Sequence, residues 1–574
     1  MLRPDPERLA LGSAGTWVSW LALGLLVHHW TQAHPRTPAL AQTAAILAFA
    51  WCQSALVTRA LRGPLVKEPD SDAPPIHFAV LLFALVWGRH SFLQNFHHDE
   101  LGYFGSVGQN LHQAFWSLFE PLNEHFLPVT KLLQWAVYNA FGIDYFGIAA
   151  VHCLVFTVLL HAFWLLLTEL GAPPFARSLA TAWLAIWPSF ADDHLWKGAG
   201  LNLFLSAAAF FLWLTLSIRA LDGKIELERR SISASVILCA ITIFSSSLIT
   251  LPAIYLATLL PVHRRAWRKL AFVASESIAL SAAYFVCRRW LAGVALPTRS
   301  PPGFRELVDV AGSFVGKNLF DWNPAAATLP ILAAAVIAAP VVAIVVMRQR
   351  ALARGSGARF IEPAAALGLG IFLISIVQLW VGRGFDVRTG PTSRHNFFPA
   401  VGLAIYFSGL LAAFRGSFPT AAIRIPRAAG RVVVAVGLVA AAVLQQRRIQ
   451  RAFPVEQQIA LRESRRQFFD SLEKVLCEAR RISDDGSFRR FDLPDLPLEQ
   501  CREGCDLGIT PPFNLAQYGF TLSYYAQAAD SRCFDRVRLR FVPPAALADR
   551  YRQRLLSSAE ARQFFQRYFL EFGQ

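Results

Sequence analysis

Long apolar runs separated by short charged joints set the rhythm of this chain. A helix crossing the hydrocarbon of a bilayer needs about 20 mostly apolar residues. Runs of that kind fall near 12–31, 39–60, 77–94, 147–168, 178–190, 200–219, 232–246, 249–262, 270–290, 325–347, 361–383, 396–414 and 432–446. Several are short, and 232–262 reads either as two spans or as one kinked helix. Between 121 and 147 the pattern changes: Leu132, Leu133, Ala136, Val137 and Ala140 form an apolar stripe at helical spacing in a segment that also carries Lys131. That stripe predicts an amphipathic helix lying on the outer membrane face instead of a full span. No stretch of the membrane region reads as a strand, and no fixed-period repeat is visible. After about Gln445 the charge density rises abruptly. There VEQQIALRESRRQFFDSLEKVLCEARR keeps apolar residues at helical spacing, while RVRLRFVPP alternates as a strand does. The pattern predicts an all-α polytopic membrane protein over residues 1–446, with about 11–13 transmembrane helices. A small α+β C-terminal domain is expected over 447–574.

Composition sharpens this division. Of 574 residues 54% are hydrophobic and 16% charged, against about 25% charged in soluble proteins. The net charge is +16, carried mostly by Arg. A basic balance can signal nucleic-acid binding, but no recognised binding motif accompanies it, so no nucleic-acid partner is expected. The cations sit in the joints, which points to topology control and contact with membrane lipids. The first run follows basic residues without a clear small-residue cleavage site and reads as a retained helix.

Alternate joints carry the positive charge: Arg59, Arg62 and Lys67; Arg219, Lys224, Arg229 and Arg230; Arg264, Arg265, Arg268 and Lys269. The phase continues through Arg348, Arg350, Arg354 and Arg359, then Arg415, Arg424, Arg427 and Arg431. The positive-inside rule puts these joints in the cytoplasm, provided 232–262 crosses twice. The expected location is the cytoplasmic (inner) membrane, with a cytoplasmic N-terminus and an extracytoplasmic tail. Cys52, Cys153, Cys239 and Cys287 lie in apolar runs, where thiols act as small hydrophobes. Cys477, Cys501, Cys505 and Cys533 lie in the tail, where an oxidising compartment favours one or two disulfides in any of three pairings.

The opposite joints are chemically richer: 95–146, 187–199, 291–324 and 384–396. NFHHDELGYFG places His97, His98, Asp99 and Glu100 in a row at a membrane exit. A carboxylate at a partly dry interface has a raised pKa, which suits a general base; a solvated loop start is the plainer reading. Glu124 and His125 stand at the start of the amphipathic helix, where capping would also explain them. WPSFADDHLWKGAGLN brings Asp192, Asp193, His194 and Lys197, with Asp193–Lys197 spaced for an ion pair on one helix face. Together His97, His98, Asp99, Asp192, Asp193 and His194 could supply oxygen and imidazole ligands to a divalent cation, without fixed spacing to specify one. No cofactor is otherwise implied. VGRGFDVRTGPTSRHNFFPA adds Arg383, Asp386, Arg388, Arg394 and His395. Arginine forks bind phosphate bidentately, and arginines on the side where positive charge is disfavoured call for such an anion or for lipid headgroups.

The order of these motifs resembles a known class. An acidic pair follows an early span. Then come EHFLPVTKLLQWAVYNAFGIDYFGIAAVHCLVFTVLLHAFWLLL, AWLAIWPSFADDHLWKGAGLNLFLSAAAFFLWL and FSSSLITLPAIYLATLL. The set is similar to the GT-C membrane glycosyltransferases, in the branch of the protein O-mannosyltransferases and their multi-span bacterial relatives. It covers about residues 77–265, with an echo in SRHNFFPA. LPV stands where that family often has RPL, and SSSLITLP where relatives often have a Lys-Glu pair before the proline. The resemblance implies a sugar donor on a polyprenyl phosphate and an envelope glycan, lipid or protein acceptor on the outer face. By position, Asp99 with Glu100 beside it would deprotonate the acceptor, whose attack at the anomeric carbon expels the lipid phosphate with inversion. Arg394, Arg388 and Lys197 would hold the phosphate as its charge grows. His98, Glu124, His125, Asp192, Asp193 and His194 remain for acceptor or sugar.

Two other classes compete. A transporter or flippase of a lipid-linked substrate usually carries ionisable groups inside the membrane; these spans are nearly free of them, and the acids cluster in outer loops. A degenerate, non-catalytic scaffold would act through its tail.

Overall fold

The computed structural model describes residues 6–33, 39–65, 74–93, 115, 118–119, 126–141, 145–187, 194, 197–225, 229–246, 267–290, 358–383, 397–417, 427–452, 490–492, 538–542 and 569–573. Almost all of these are helical. In chain order the helices are α1 (Pro6–Ala33), α2 (Ala39–Leu65), α3 (Pro74–Phe83), a π-helical turn (Ala84–Gly88) and α4 (Arg89–Leu93). Next come α5 (Pro128–Phe141), α6 (Tyr145–Glu169), α7 (Pro174–Ile186), α8 (Lys197–Leu221), α9 (Arg229–Ser246) and α10 (Trp267–Trp290). The series closes with α11 (Ala358–Arg383), α12 (Phe397–Ser417) and α13 (Arg427–Ala452). Eleven of the thirteen apolar runs therefore coincide with helices; 249–262 and 325–347 lie outside the described residues, as do the loop 291–324 and the charged stretch 455–481.

Six of the described helices are long and apolar enough to cross a membrane, the most apolar being Phe146–Glu169. Shorter apolar helices run over Ser231–Ser245, Ala366–Val377 and Phe397–Gly409. α6 and α8 are apolar all round and form the interior, with Phe156, Phe163, Phe204, Phe210, Phe211 and Trp213 inaccessible. α10 and α13 instead turn Ile278, Phe285, Val286, Val432, Val433 and Val436 outward. Exposed apolar faces of this extent suit a hydrocarbon solvent. Trp267 and Trp290 mark the two ends of α10, both exposed, about 35 Å apart at the helical rise. That is the spacing of interfacial aromatic anchors across a bilayer.

Side-chain contacts fix the direction of successive helices. Glu169 at the end of α6 meets Arg219 (2.6 Å) and Lys224 (3.1 Å) at the end of α8. His152 near the start of α6 meets Phe204 near the start of α8 (5.2 Å). The two helices are therefore parallel, with α7 returning between them. α9 and α10 are parallel as well: Ser235 donates to Glu276, and Phe244 packs on Tyr284 at 5.4 Å. Lys269 Nζ donates to the Ala220 carbonyl (2.8 Å), so α10 begins at the end where α8 finishes. α9 and α10 thus both start at the cationic end, as the two-span reading of 232–262 expects; residues 247–266 between them lie outside the described residues. The joints bearing Arg219, Lys224 and Lys269 share one end of the bundle, called here the cationic end. Burial opposes the charge on Lys224, but hydrogen bonds and attraction from Glu169 and Asp222 outweigh it and raise its pKa.

α5 is amphipathic, and its polar stripe faces the protein. Thr130, Gln134 and Val137 are buried, with Thr130 Oγ1 donating to the Ser245 carbonyl (2.9 Å), while Leu132 is half exposed and Ala136 and Ala140 are exposed. That is the arrangement expected of a helix whose other face meets lipid. In the tail, β1 (Arg490–Asp492), β2 (Arg538–Val542) and β3 (Phe569–Gly573) form an antiparallel sheet ordered β1-β3-β2. β2 lies inside the segment RVRLRFVPP, which alternates in sequence.

Candidate functional site

At the end opposite the cations, four elements meet around His194. The π-helical turn shifts the register of the third span and delivers Trp87 beside it, ring centroids 4.5 Å apart. Phe83 of α3 stands at 5.2 Å, Phe156 of α6 at 4.6 Å edge-on, and Phe204 of α8 at 5.0 Å. His152 of α6 lies edge-on at 5.4 Å. Phe204 in turn packs on Phe397, the first residue of α12, at 5.3 Å. Gly88 is needed here because a Cβ would come within 2.4 Å of Ile46 Cγ2.

Lys197 opens α8 and is fully buried, its Nζ donating to the His194 carbonyl at 3.3 Å. Burial, followed by the charges of His152 and Lys197, holds the pKa of His194 well below the ordinary histidine value. The imidazole of His194 is therefore neutral at pH 7, and Lys197 contributes its amine to the same cage. An ammonium in a dry setting acts on an approaching anion far more strongly than one in water.

Of the residues named from sequence, the structure brings His194 and Lys197 together. Asp99, Glu100, His98, Glu124, His125, Asp192, Asp193, Arg388 and Arg394 lie outside the described residues. In sequence, Asp99 follows the end of α4 by six residues and Arg394 precedes α12 by three. Among the described residues no group of three His, Cys, Asp or Glu side chains is placed to hold a metal ion. Sequence reasoning did not single out His152, Phe83, Trp87, Phe156 or Phe204. His152 carried a signal, since an ionisable residue inside an apolar run marks function by default.

The spans also hold more polar chemistry than their composition conveys. Glu276, halfway along α10, is buried and accepts from Ser235 Oγ at 2.9–3.0 Å. His28, His90 and His161 are buried too. No family model matches the chain, and no curated protein matches it.

Proposed function

We propose that the chain is a GT-C-like membrane glycosyltransferase that moves a sugar from a polyprenyl-phosphate donor to an envelope acceptor, with inversion. The observation that carries this reading is convergence. The start of α8, with Lys197 and Phe204, and the start of α12, with Phe397, lie at or beside the cluster of His152, His194 and Trp87; the loops with Asp99–Glu100, Asp192–Lys197 and Arg388–Arg394 adjoin α4, α8 and α12 in sequence. By the positive-inside rule the cationic end is cytoplasmic, which puts this cluster on the outer side. Asp99 is the general base, with Glu100 as its neighbour; Arg394, Arg388 and Lys197 receive the leaving phosphate. Charge that grows on that phosphate in the transition state is what fixed cations stabilise preferentially.

The test is mass spectrometry of envelope lipids and glycans in a deletion strain. A polyprenyl-phosphate sugar should accumulate while one glycan loses that sugar. Unchanged lipids and glycans would remove the proposal.

Buried Glu276 and His161 favour a second reading, transport of a lipid-linked substrate across the membrane. Transport has no meaning in a detergent micelle, so sugar transfer by the solubilised protein separates the two.

A further inference from the structure

A second polar cluster lies inside the bundle toward the cationic end, where α2, α3 and α6 meet. His161 of α6 approaches two hydroxyls of α2 through Nε2: Thr58 Oγ1 at 3.0 Å and Ser54 Oγ at 3.5 Å. Ser54 Oγ also meets His77 Nδ1 of α3 at 2.8 Å. The other nitrogen of His161, Nδ1, lies 2.8 Å from the Thr157 carbonyl. A carbonyl only accepts, so Nδ1 carries a hydrogen in every state of the ring.

The remaining hydrogens can be counted. Thr58 has one hydroxyl hydrogen and two acceptors in reach, the Ser54 carbonyl at 2.8 Å and His161 Nε2. When Thr58 donates to Nε2, His161 is neutral. When it donates to the Ser54 carbonyl, its oxygen faces Nε2 as an acceptor, so a hydrogen on Nε2, which makes His161 an imidazolium, has a partner. The two states differ by one proton and one hydroxyl rotation, and neither leaves Nε2 without a partner. Burying charge is costly unless hydrogen bonds replace its hydration; here three oxygens, from Thr157, Thr58 and Ser54, surround the ring.

We propose that Ser54, Thr58, His77 and His161 form an intramembrane proton-binding site, with the bound proton on His161 Nε2. His77 is the entry group. It sits in the first turn of α3, toward the cationic end, and is only half-buried, while His161 is buried. A proton on His77 Nδ1 passes to Ser54 Oγ as Ser54 gives its own hydrogen to His161 Nε2. One N–H and one O–H bond break, one of each forms, and Ser54 ends unchanged. Two imidazoles this close resist charging together, so the pair binds one proton at a time. The route ends at His161, because its Nδ1–H is committed to a carbonyl and Gln53 Nε2 donates to both Thr157 Oγ1 and the Cys153 carbonyl. The site therefore reports the pH of the cationic face and does not conduct across the membrane.

Among the described residues, the other charged groups on the packed elements have partners elsewhere or face outward. Arg177 of α7 is turned to Thr168 Oγ1 and the Trp164 ring, and Glu169 of α6 is held by Arg219 and Lys224. Arg59 and Cys52 of α2 are exposed, and α8 has no ionisable residue between Lys197 and Arg219.

The test uses the full chain in lipid nanodiscs, labelled with ¹⁵N-histidine, with His161 assigned by its loss in His161→Gln. Its Nε2 resonance should move from a bare to a protonated nitrogen as pH falls, while Nδ1 stays protonated throughout. Thr58→Val removes the acceptor and should weaken proton binding at least about tenfold, one pH unit in midpoint. Thr58→Ser, which keeps the hydroxyl, should titrate as the wild type does and shows that the bundle tolerates change there. A bare Nε2 down to the pH of unfolding would overturn the proposal. So would a midpoint left unmoved in a folded Thr58→Val.

Discussion

At the scale of single residues, His194 joins stability to pH. Its folded-state pKa lies well below the ordinary 6.5 because it is buried beside two other basic groups. Between those values the unfolded chain binds a proton that the folded chain refuses. The stabilisation is complete above about pH 6.5 and lost as pH falls toward the folded value. His194→Phe fits an aromatic cage and cannot titrate. Its thermal midpoint should fall less steeply than that of the wild type between neutral and mildly acidic pH, followed by tryptophan fluorescence; parallel slopes would deny His194 this role. Arg394 makes a different prediction. A guanidinium gives a phosphate two hydrogen bonds where an ammonium gives a point charge, so Arg394→Ala should raise the apparent KM for the lipid donor more than Arg394→Lys. Equal donor kinetics in wild type and both variants would assign Arg394 to ordinary headgroup contact.

At the scale of elements, the crossing of α11 and α12 is the closest helix approach that the glycines define. A Cβ on Gly402 would lie 2.5 Å from the Phe372 backbone nitrogen, and one on Gly368 would lie 2.5 Å from that of Tyr406. Backbone cannot swing aside as a side chain does. Gly402→Ala should therefore cost about 1–3 kcal/mol, visible as a lower thermal midpoint. The same crossing also sets where α12 starts, with Phe397 against Phe204. An unchanged midpoint would mean that the two helices separate freely. Such helices were legible in sequence because length and apolarity alone specify a span, and only their ends moved by a few residues. α5 was legible as amphipathic, but its burial of Thr130 and Gln134 was not, since a helix beside lipid inverts the usual rule of apolar residues inward. The aromatic cage was hidden for a related reason: Phe83, Trp87, Phe156 and Phe204 look like any other apolar residues until packing brings their helices around His194. His161 and Glu276 were visible as letters, but their hydroxyl partners stand on other helices, far away in sequence.

At the scale of the whole molecule, the alternation of cationic joints and the parallel pairing of α9 with α10 motivate a topology prediction: the cationic end is expected in the cytoplasm and the C-terminus outside it. Alkaline phosphatase fused after Gln574 should be active, and a fluorescent protein fused there dark; the reverse pattern would invert the topology. An outside tail would put Cys477, Cys501, Cys505 and Cys533 in an oxidising compartment, so non-reducing peptide mapping should recover at least one disulfide and not four free thiols. Enzyme chemistry at the outer end is the central claim, and one assay meets it directly: sugar transfer from a polyprenyl-phosphate donor by detergent-purified wild type, Asp99→Asn and Asp99→Asn/Glu100→Gln. Asn keeps the size of Asp but cannot accept a proton, and a lost general base costs about a hundredfold to ten-thousandfold in rate. The account predicts turnover by the wild type and a loss of that order in both folded, inserted variants. Near-normal turnover in the double variant would contradict it.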